Sequence, residues 1–325
     1  MRTYTSTLTT LRRMAKIGTA DTTSDAILME FFNDSARAIY NIRGGKWAFL
    51  AIQKNITTVA SQRAYSIPNS IRKITSFYVT VGTQIYFPDP IFNMDEYTKM
   101  LQANLGESDE PSSYFRLNNK INLVPVPASS SNIGTLTGFR ETRNISIADY
   151  TTGGVLTATP GSTAIVGTGT TWVASMAGRF IQIANSDTAN KGDGYWYEIE
   201  SVTNATNLVL VAPYEGTAIA TGNATYIIGD VTFIPEAYDM APIYRTMALW
   251  SQFQDPVHPQ AANIWWRLYD GGQEAGLSKV VGGMVGQMLE NEGELIDSPY
   301  ISPNGNGRII NPNNPQQDAD ASSFT

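Results

Sequence analysis

Residues Thr57 to Val79 read TTVASQRAYSIPNSIRKITSFYV, and further along comes Ile121-Asn122-Leu123-Val124-Pro125-Val126-Pro127. Two β-branched runs are separated here by Tyr65-x-x-Pro68. Proline fixes φ and has no N–H to give to a ladder, so Pro68 cannot lie inside a strand. The stretch therefore reads as a strand, a break, a second strand over Ile71 to Val81, and later a short strand closed by alternating prolines. Ser61-Gln62 reads as a hairpin corner. None of these residues forms a catalytic pattern; the stretch is architecture.

Helical spacing flanks this β region. A first helix is expected from about Ser6, carrying Leu8, Leu11, Met14 and Ile17 and ending at Gly18. A second is expected from Ser24 as N-cap, with Ile27, Leu28, Phe31, Phe32, Ile39 and Tyr40 on its apolar side and Gly44-Gly45 at its end. Strands are expected at Phe49 to Ile52, Ile56 to Val59 and Gln84 to Phe87, and a short helix over Met94 to Leu105. A hairpin over Tyr114 to Val124 turns at Asn118-Asn119, and another strand covers Gly134 to Glu141.

At Thr151 the composition shifts. As far as Gly229 the chain is rich in Thr, Gly, Ala and Val, with about six short strands separated by turn residues, the spacing of a small sandwich or barrel. After Phe233 helical spacing returns with Met240, Ile243, Tyr244, Met247 and Trp250, and Pro242 is tolerable in the first turn. Asp255 to Pro259 breaks that helix, and Pro259 opens another through Ile264, Trp265, Leu268 and Tyr269. Residues 271–293 mix helix formers with glycines, including Gly272-x-x-x-Gly276 and Gly282-x-x-x-Gly286, a spacing that permits close backbone approach but also weakens a helix. The last thirty or so residues are rich in Pro, Asn, Gly and Ser and cannot bury enough surface to fold alone. The expected architecture is α+β: a helical bundle with sheet or barrel elements, an inserted small all-β domain that is a sandwich or barrel, and an extended tail. The boundaries are 1–150, 151–230, 231–293 and 294–325.

The 325 residues include 42% hydrophobic side chains, enough for a sizeable core, with 6 Trp, 16 Tyr and 12 Phe to fill it. Charged residues are 16%, below the usual quarter or so. A net charge of −7 argues against general nucleic-acid binding, which rests on Lys and Arg neutralising phosphates. It is compatible with a channel that repels phosphate and lets a duplex slide. With no cysteine there is neither a disulfide nor a thiolate site. The N-terminal residues have no uninterrupted apolar run of the signal-peptide kind, and no stretch approaches a membrane span.

The ordered string TTVAxQxxYxxPxxxRKxxSF…INLxPxP, set after a short helical N-terminus, resembles the head-to-tail adaptor (connector, or tail tubular) proteins of tailed bacteriophages, most like those of short-tailed phages. The resemblance covers roughly the first 130 residues and, more loosely, the helices near the C-terminus. It implies a structural virion protein of the particle's neck, assembled in the host bacterial cytoplasm as a closed ring of about twelve copies. One face would dock on the portal protein and the other would receive the tail nozzle or tube. Genomic DNA would pass through the lumen without specific binding. The expected roles are binding roles, with no enzyme activity, no cofactor, no metal and no membrane. Tyr300, Ile301, Ile309, Ile310 and Phe324 would anchor the tail on the portal; Trp265, Trp266, Gly272, Gly276, Gly282 and Gly286 are candidates for subunit contact. The 151–229 module is similar to small β domains of phage tail-associated proteins and would hold spikes or fibres.

Residues with chemical potential are few. His258, the only histidine, lies between prolines with no motif around it. Gly167 to Thr171 lacks the Gly-Lys-Ser/Thr ending of a phosphate loop and reads as a β-turn. Asp187, Asp193, Glu198 and Glu200 raise a glycosidase reading, with Glu198 and Glu200 on one strand face and Tyr197 and Ile199 on the other. That alternative, a cell-wall or polysaccharide-binding or hydrolysing module, requires a convergent carboxylate pair in a cleft lined by Trp172, Trp196 or Tyr195. A tail fibre protein, trimeric rather than ring-forming, is the other alternative. Trp265 and Trp266 point about 100° apart on a helix, so one is expected to leave the core stripe for another element or a neighbouring subunit.

Overall fold

A computed structural model describes residues 1–18, 21–151, 153–184, 192–255, 260–271 and 283–291. The chain is a mixed α+β protein divided into two compact units. Met1–Leu50 and Arg140–Gly293 make the first unit, and Ala51–Phe139 is the described part of the second.

In the first unit, α1 (Tyr4–Ala15) starts earlier than Ser6 because Thr3 caps it. The Thr3 hydroxyl accepts from the Ser6 amide at 3.3 Å while the Thr3 amide donates to Ser6 Oγ at 2.9 Å. Such a cap stabilises a helix by about 1 kcal/mol. Arg12 and Arg13 in the last turn suit the helix dipole, and Lys16 turns left-handed at φ 56° to end it. The next helix, α2 (Thr23–Asn41), was expected to be capped by Ser24. Asp21 does this instead, its carboxylate accepting from the amides of Thr23 and Ser24 at 3.1 and 3.2 Å and from the Ser24 hydroxyl at 2.7 Å. Beyond α2, the expected strand over Phe49 to Ile52 begins only at Ala51. Trp47 is fully buried, donates Nε1–H to the Ile39 carbonyl at 2.9 Å and stacks on Phe49. This anchor holds Ala48–Leu50 in a tight helical turn.

The second unit runs β1 (Ala51–Thr57), β2 (Ala64–Ser66), β3 (Ile71–Val81), β4 (Gln84–Tyr86), β5 (Asp89–Ile91), α3 (Met94–Ala103), β6 (Ser108–Asp109), β7 (Ser113–Leu117), β8 (Lys120–Val124), β9 (Val126–Pro127) and β10 (Ile133–Arg140). One sheet has the order β1-β10-β3-β4, another β2-β8-β7-β5, and β6 pairs with β9. The Tyr114 to Val124 hairpin forms as expected. Asn118 and Asn119 both have positive φ, 49° and 56°, the backbone that a two-residue hairpin turn demands. The turn at Ser61-Gln62 also forms, with Ser61 at φ 62° and the Gln62 amide donating to the Val59 carbonyl. It is not a hairpin corner, however: β1 pairs with β10 and β2 with β8, so the chain crosses there from one sheet to another. Tyr65 explains the Tyr-x-x-Pro pattern. Its ring is buried, and its hydroxyl accepts from the Val59 amide at 3.1 Å and lies 2.9 and 2.8 Å from the Val59 and Gln62 carbonyls. The side chain pins the crossing, and Pro68 then closes a turn onto Ile71.

Ile52, Ile67, Phe77, Val79, Leu123 and Leu136 are among the buried residues of this unit's main core. A smaller cluster forms where Tyr97 of α3 stacks on Phe115 with ring centroids 4.5 Å apart.

The chain then returns to the first unit as β11 (Val155–Ala158), β12 (Ala164–Thr168), β13 (Phe180–Ile183), β14 (Trp196–Asn204), β15 (Asn207–Leu210), β16 (Ile219–Ala224) and β17 (Tyr226–Gly229). These seven strands make one sheet in the order β16-β11-β12-β15-β14-β13-β17. β16 and β17 stand at opposite ends of that order, yet only Thr225 separates them in sequence. The sheet must therefore curl until its two ends meet, a half-barrel rather than a two-sheet sandwich. Alternate residues of β11, β12 and β15 point inward, among them Leu156, Ile165 and Leu210. Trp172 lies inside, donating Nε1–H to the Tyr226 hydroxyl, which donates on to the Gly153 carbonyl.

Helices α4 (Ala241–Gln254), α5 (Gln260–Asp270) and α6 (Met284–Asn291) complete the first unit. Ile243, Met247 and Trp250 of α4 are buried in one cluster with Leu11 of α1, Leu28 and Phe32 of α2, and Ile145. Asn33 ties the Ile145 backbone to α2 from both sides, donating to its carbonyl at 3.1 Å and accepting from its amide at 2.9 Å.

Gly138 shows how tightly β10 and β3 approach. A Cβ there would lie 2.0 Å from the Lys73 carbonyl oxygen, a backbone atom that cannot swing aside. Gly138→Val is expected to lower the stability of the folded chain by about 1–3 kcal/mol, the usual cost of forcing extra atoms into a packed region. Urea unfolding followed by Phe and Tyr near-ultraviolet dichroism checks this; an unchanged midpoint would contradict the packing described.

Candidate assembly surfaces

On α5 the apolar side chains divide into two groups. Ala262 and Tyr269 are buried. Trp265 is half-buried and stacks on Tyr244 of α4 with centroids 6.3 Å apart; Trp266 meets Tyr269 edge-on at 5.8 Å, with the Arg245 guanidinium 5.4 Å from its ring. The 100° between the two tryptophans is thus absorbed within this chain, since Tyr244 and Arg245 are themselves adjacent on α4. The large apolar side chains that α5 leaves in the open are instead Ile264, 62% exposed, and Leu268, 43% exposed. They are four residues apart and so lie on one face of the helix. Phe253 near the end of α4 is 55% exposed.

Gly286 is a half-buried helical residue of α6, between buried Val285 and Met288. The close approach in this region belongs to Gly283: a Cβ there would lie 2.3 Å from the Gly271 nitrogen and 2.5 Å from the Asp270 backbone. Gly272, Gly276 and Gly282 lie outside the described residues, as do His258, Asp187 and the tail residues Tyr300, Ile301, Ile309, Ile310 and Phe324. The second unit has its own exposed apolar side chains. Ile85 and Phe87 are on and just after β4, and Phe92, 89% exposed, follows β5. β4 and β5 are each an edge strand of their sheet, where an unpaired ladder also offers hydrogen bonds.

Glu198 and Glu200 do not share a strand face as periodicity suggests. The β14–β15 pairing shifts register between Ile199 and Ser201, which places Glu200 at a bulge and breaks the alternation of faces. Tyr197 and Ile199 are buried before it, whereas after it Val202 packs against the same core. Glu198 is turned toward Arg140, with Nη1 to Oε2 at 2.9 Å and both side chains largely shielded from water. The Arg140 guanidinium also lies over the Phe233 ring, 4.6 Å from its centroid. Asp193 accepts from the Tyr195 amide at 3.1 Å and from the Tyr197 hydroxyl. Trp172 belongs to the core, so of the three aromatics that a sugar cleft was expected to use, only Tyr195 and Trp196 face outward. Among the described residues no group of three or more His, Asp or Glu is placed to hold a metal ion, and no helix is long and apolar enough to cross a membrane.

Compared with known families, the chain matches the model described as SU10 adaptor protein over residues 2–198, more than half of its length. The matched stretch contains α1, α2, the whole described second unit and the curled module as far as Glu198 in β14. It thus extends past the first 130 residues that carry the TTVA…INLxPxP string, into the Thr- and Gly-rich module. No curated protein matches the chain.

Tyr197 gives this module a dependence on pH. Burial and the hydrogen bond to Asp193 push its hydroxyl up to about 12. Burial also raises Tyr226 and Tyr214. A phenol that holds its proton more tightly when folded contributes stability that is complete below its unfolded value of about 10 and is lost as pH rises through its folded value. The module is expected to weaken between about pH 10 and 12, and Tyr197→Phe to make that decline shallower. Urea midpoints across this range, with tyrosinate absorbance as the titration readout, check it; identical profiles for the two proteins would contradict the assignment.

Proposed function

The chain belongs to the SU10 adaptor protein family, and we propose that it is the structural subunit of a phage head-to-tail adaptor, a ring that joins the portal to the tail nozzle or tube. The family match over residues 2–198 is the observation that carries this reading. The exposed Ile264 and Leu268 pair on α5, with Phe253, supports it, because an apolar helix face in a chain of low charge is suited to a neighbouring copy. The ring encloses a lumen through which DNA passes without specific contacts, in keeping with a net charge of −7. Its mechanism is binding rather than catalysis. The finished particle carries it at the neck, after assembly in the host bacterial cytoplasm.

Docking on the portal is assigned to the C-terminal segment, whose Tyr300, Ile301, Ile309, Ile310 and Phe324 stand in a polar stretch rich in Pro and Asn. Ordering such a segment costs about 2–5 kcal/mol of the gross interaction energy, which its apolar anchors must offset. Spikes or fibres are placed on the curled module.

Light scattering of the purified chain, alone and mixed with portal rings of the same particle, tests the reading. The expected result is a small species alone and a fixed ring stoichiometry on the portal. A chain that ignores the portal and runs as a trimer or a stable monomer would overturn it. Two variants separate the surfaces. Replacing Ile309, Ile310 and Phe324 together by Ser is expected to abolish portal capture without changing the melting temperature. Ile264→Ser with Leu268→Ser is expected to leave the monomer folded and prevent ring closure; complete rings from that variant would exclude α5 from the subunit contact.

A further inference from the structure

The curled module carries an open groove of about 390 Å³ beside the start of β14. Phe180, Tyr195, Trp196, Glu198, Glu215 and Arg140 line it. Trp196 is half-buried, and Tyr195 is 72% exposed although it immediately precedes a strand with a packed core side. We propose that this groove is a binding site for a neutral oligosaccharide.

Three features carry the assignment. First, the walls are held in place before any ligand arrives. The buried Tyr197 hydroxyl donates to Asp193 and accepts from the Glu215 amide at 3.1 Å, tying the segment before β14 to the one after β15. Gly194 is fixed as well, its carbonyl accepting from Gln182 at 2.6 Å. Preorganised walls reduce the ordering cost that a weak ligand must overcome.

Second, the groove combines aromatic rings with a fixed ion pair. The indole and phenol rings offer flat apolar faces of the kind that meet the C–H face of a pyranose ring. Arg140 and Glu198 are paired at 2.9 Å, and the guanidinium is held over Phe233, so the two groups form one rigid polar element. A guanidinium has several N–H donors and a carboxylate has several lone-pair positions. Neighbouring hydroxyls of a sugar, each both donor and acceptor, are complementary to such an adjoining pair.

Third, the competing ligand chemistries fit less well. Arg140, Glu198 and Glu215 together are net negative, which disfavours phosphates and acidic sugars. A peptide that adds as a strand needs a free sheet edge for its main chain. Here β14 is an interior strand: Trp196 to Glu198 pair with β13, and the Glu198 carbonyl accepts from the Val211 amide at 2.9 Å.

The test uses the full chain, independently of any portal or ring. Saturation-transfer NMR and calorimetric titration with maltotriose, mannotriose and tri-N-acetylchitotriose are the probes. At least one should bind saturably, and Tyr195→Ala and Trp196→Ala should each weaken it about tenfold, the loss expected for one ring contact of about 1.4 kcal/mol. Tyr195 is largely solvent-exposed, so its variant retains the fold and keeps the test decisive even if Trp196→Ala does not fold. Saturable binding to none of the three sugars, or an affinity unchanged in Tyr195→Ala, would overturn the proposal. So would a Lys- and Arg-rich peptide that binds more tightly than every sugar and loses affinity in Glu215→Gln; the groove would then be a cationic-peptide site.

Discussion

The pairing of β1 with β10 is the constraint on which the rest of the chain depends. Ala51 lies opposite Phe139 and Thr57 opposite Ile133, so the first and last strands of the second unit are antiparallel neighbours. Entry and exit of that excursion stand side by side, about 5 Å apart. Residues before Leu50 and after Arg140 can then share a single core, as the cluster of Leu28, Ile145 and Met247 does. Without the pairing, α1 and α2 would be joined to the later helices only by a long and entropically costly loop.

Local patterns were legible in the sequence wherever the cause is local. Asn118-Asn119 dictates a hairpin because both residues tolerate positive φ, and the β-branched run from Ile71 to Val81 has the bounds of β3. The stripe of Ile243, Met247 and Trp250 gives α4 at once. What escaped was decided by partners far along the chain. Nothing near Ser61 reveals that β2 will seek β8 rather than β1, and nothing near Phe49 reveals that Trp47 will bury itself under Ile39. The same holds for the surfaces. The aromatic run at Tyr195 and Trp196 can be seen in the sequence, but its ionic neighbour Arg140 lies more than fifty residues earlier. The bulge at Glu200, which separates two carboxylates that share a face on paper, leaves no signature in composition. On α5 the tryptophans drew attention by size, while the side chains left uncovered are their neighbours Ile264 and Leu268.

Membership of the SU10 adaptor family goes with a fold in which many polar side chains hold distant segments together. Its polar groups are spent on joints: Thr3 caps α1 while donating to Asp149 at 2.5 Å, Asn33 binds both polar groups of Ile145, and Arg179 pairs with Asp230 at 3.2 Å. Each joint ties segments distant in sequence within the first unit.

The single residue between β16 and β17 has a consequence for how the module can come apart. An outer strand of an open sheet is held on one side only and is the natural place for a sheet to fray. Here the two outer strands are one continuous stretch of chain with only Thr225 between them. Neither can peel away without pulling on the strand at the far end of the order. The seam thus couples the first and last strands of the curl, so that the module opens as a unit and not one strand at a time.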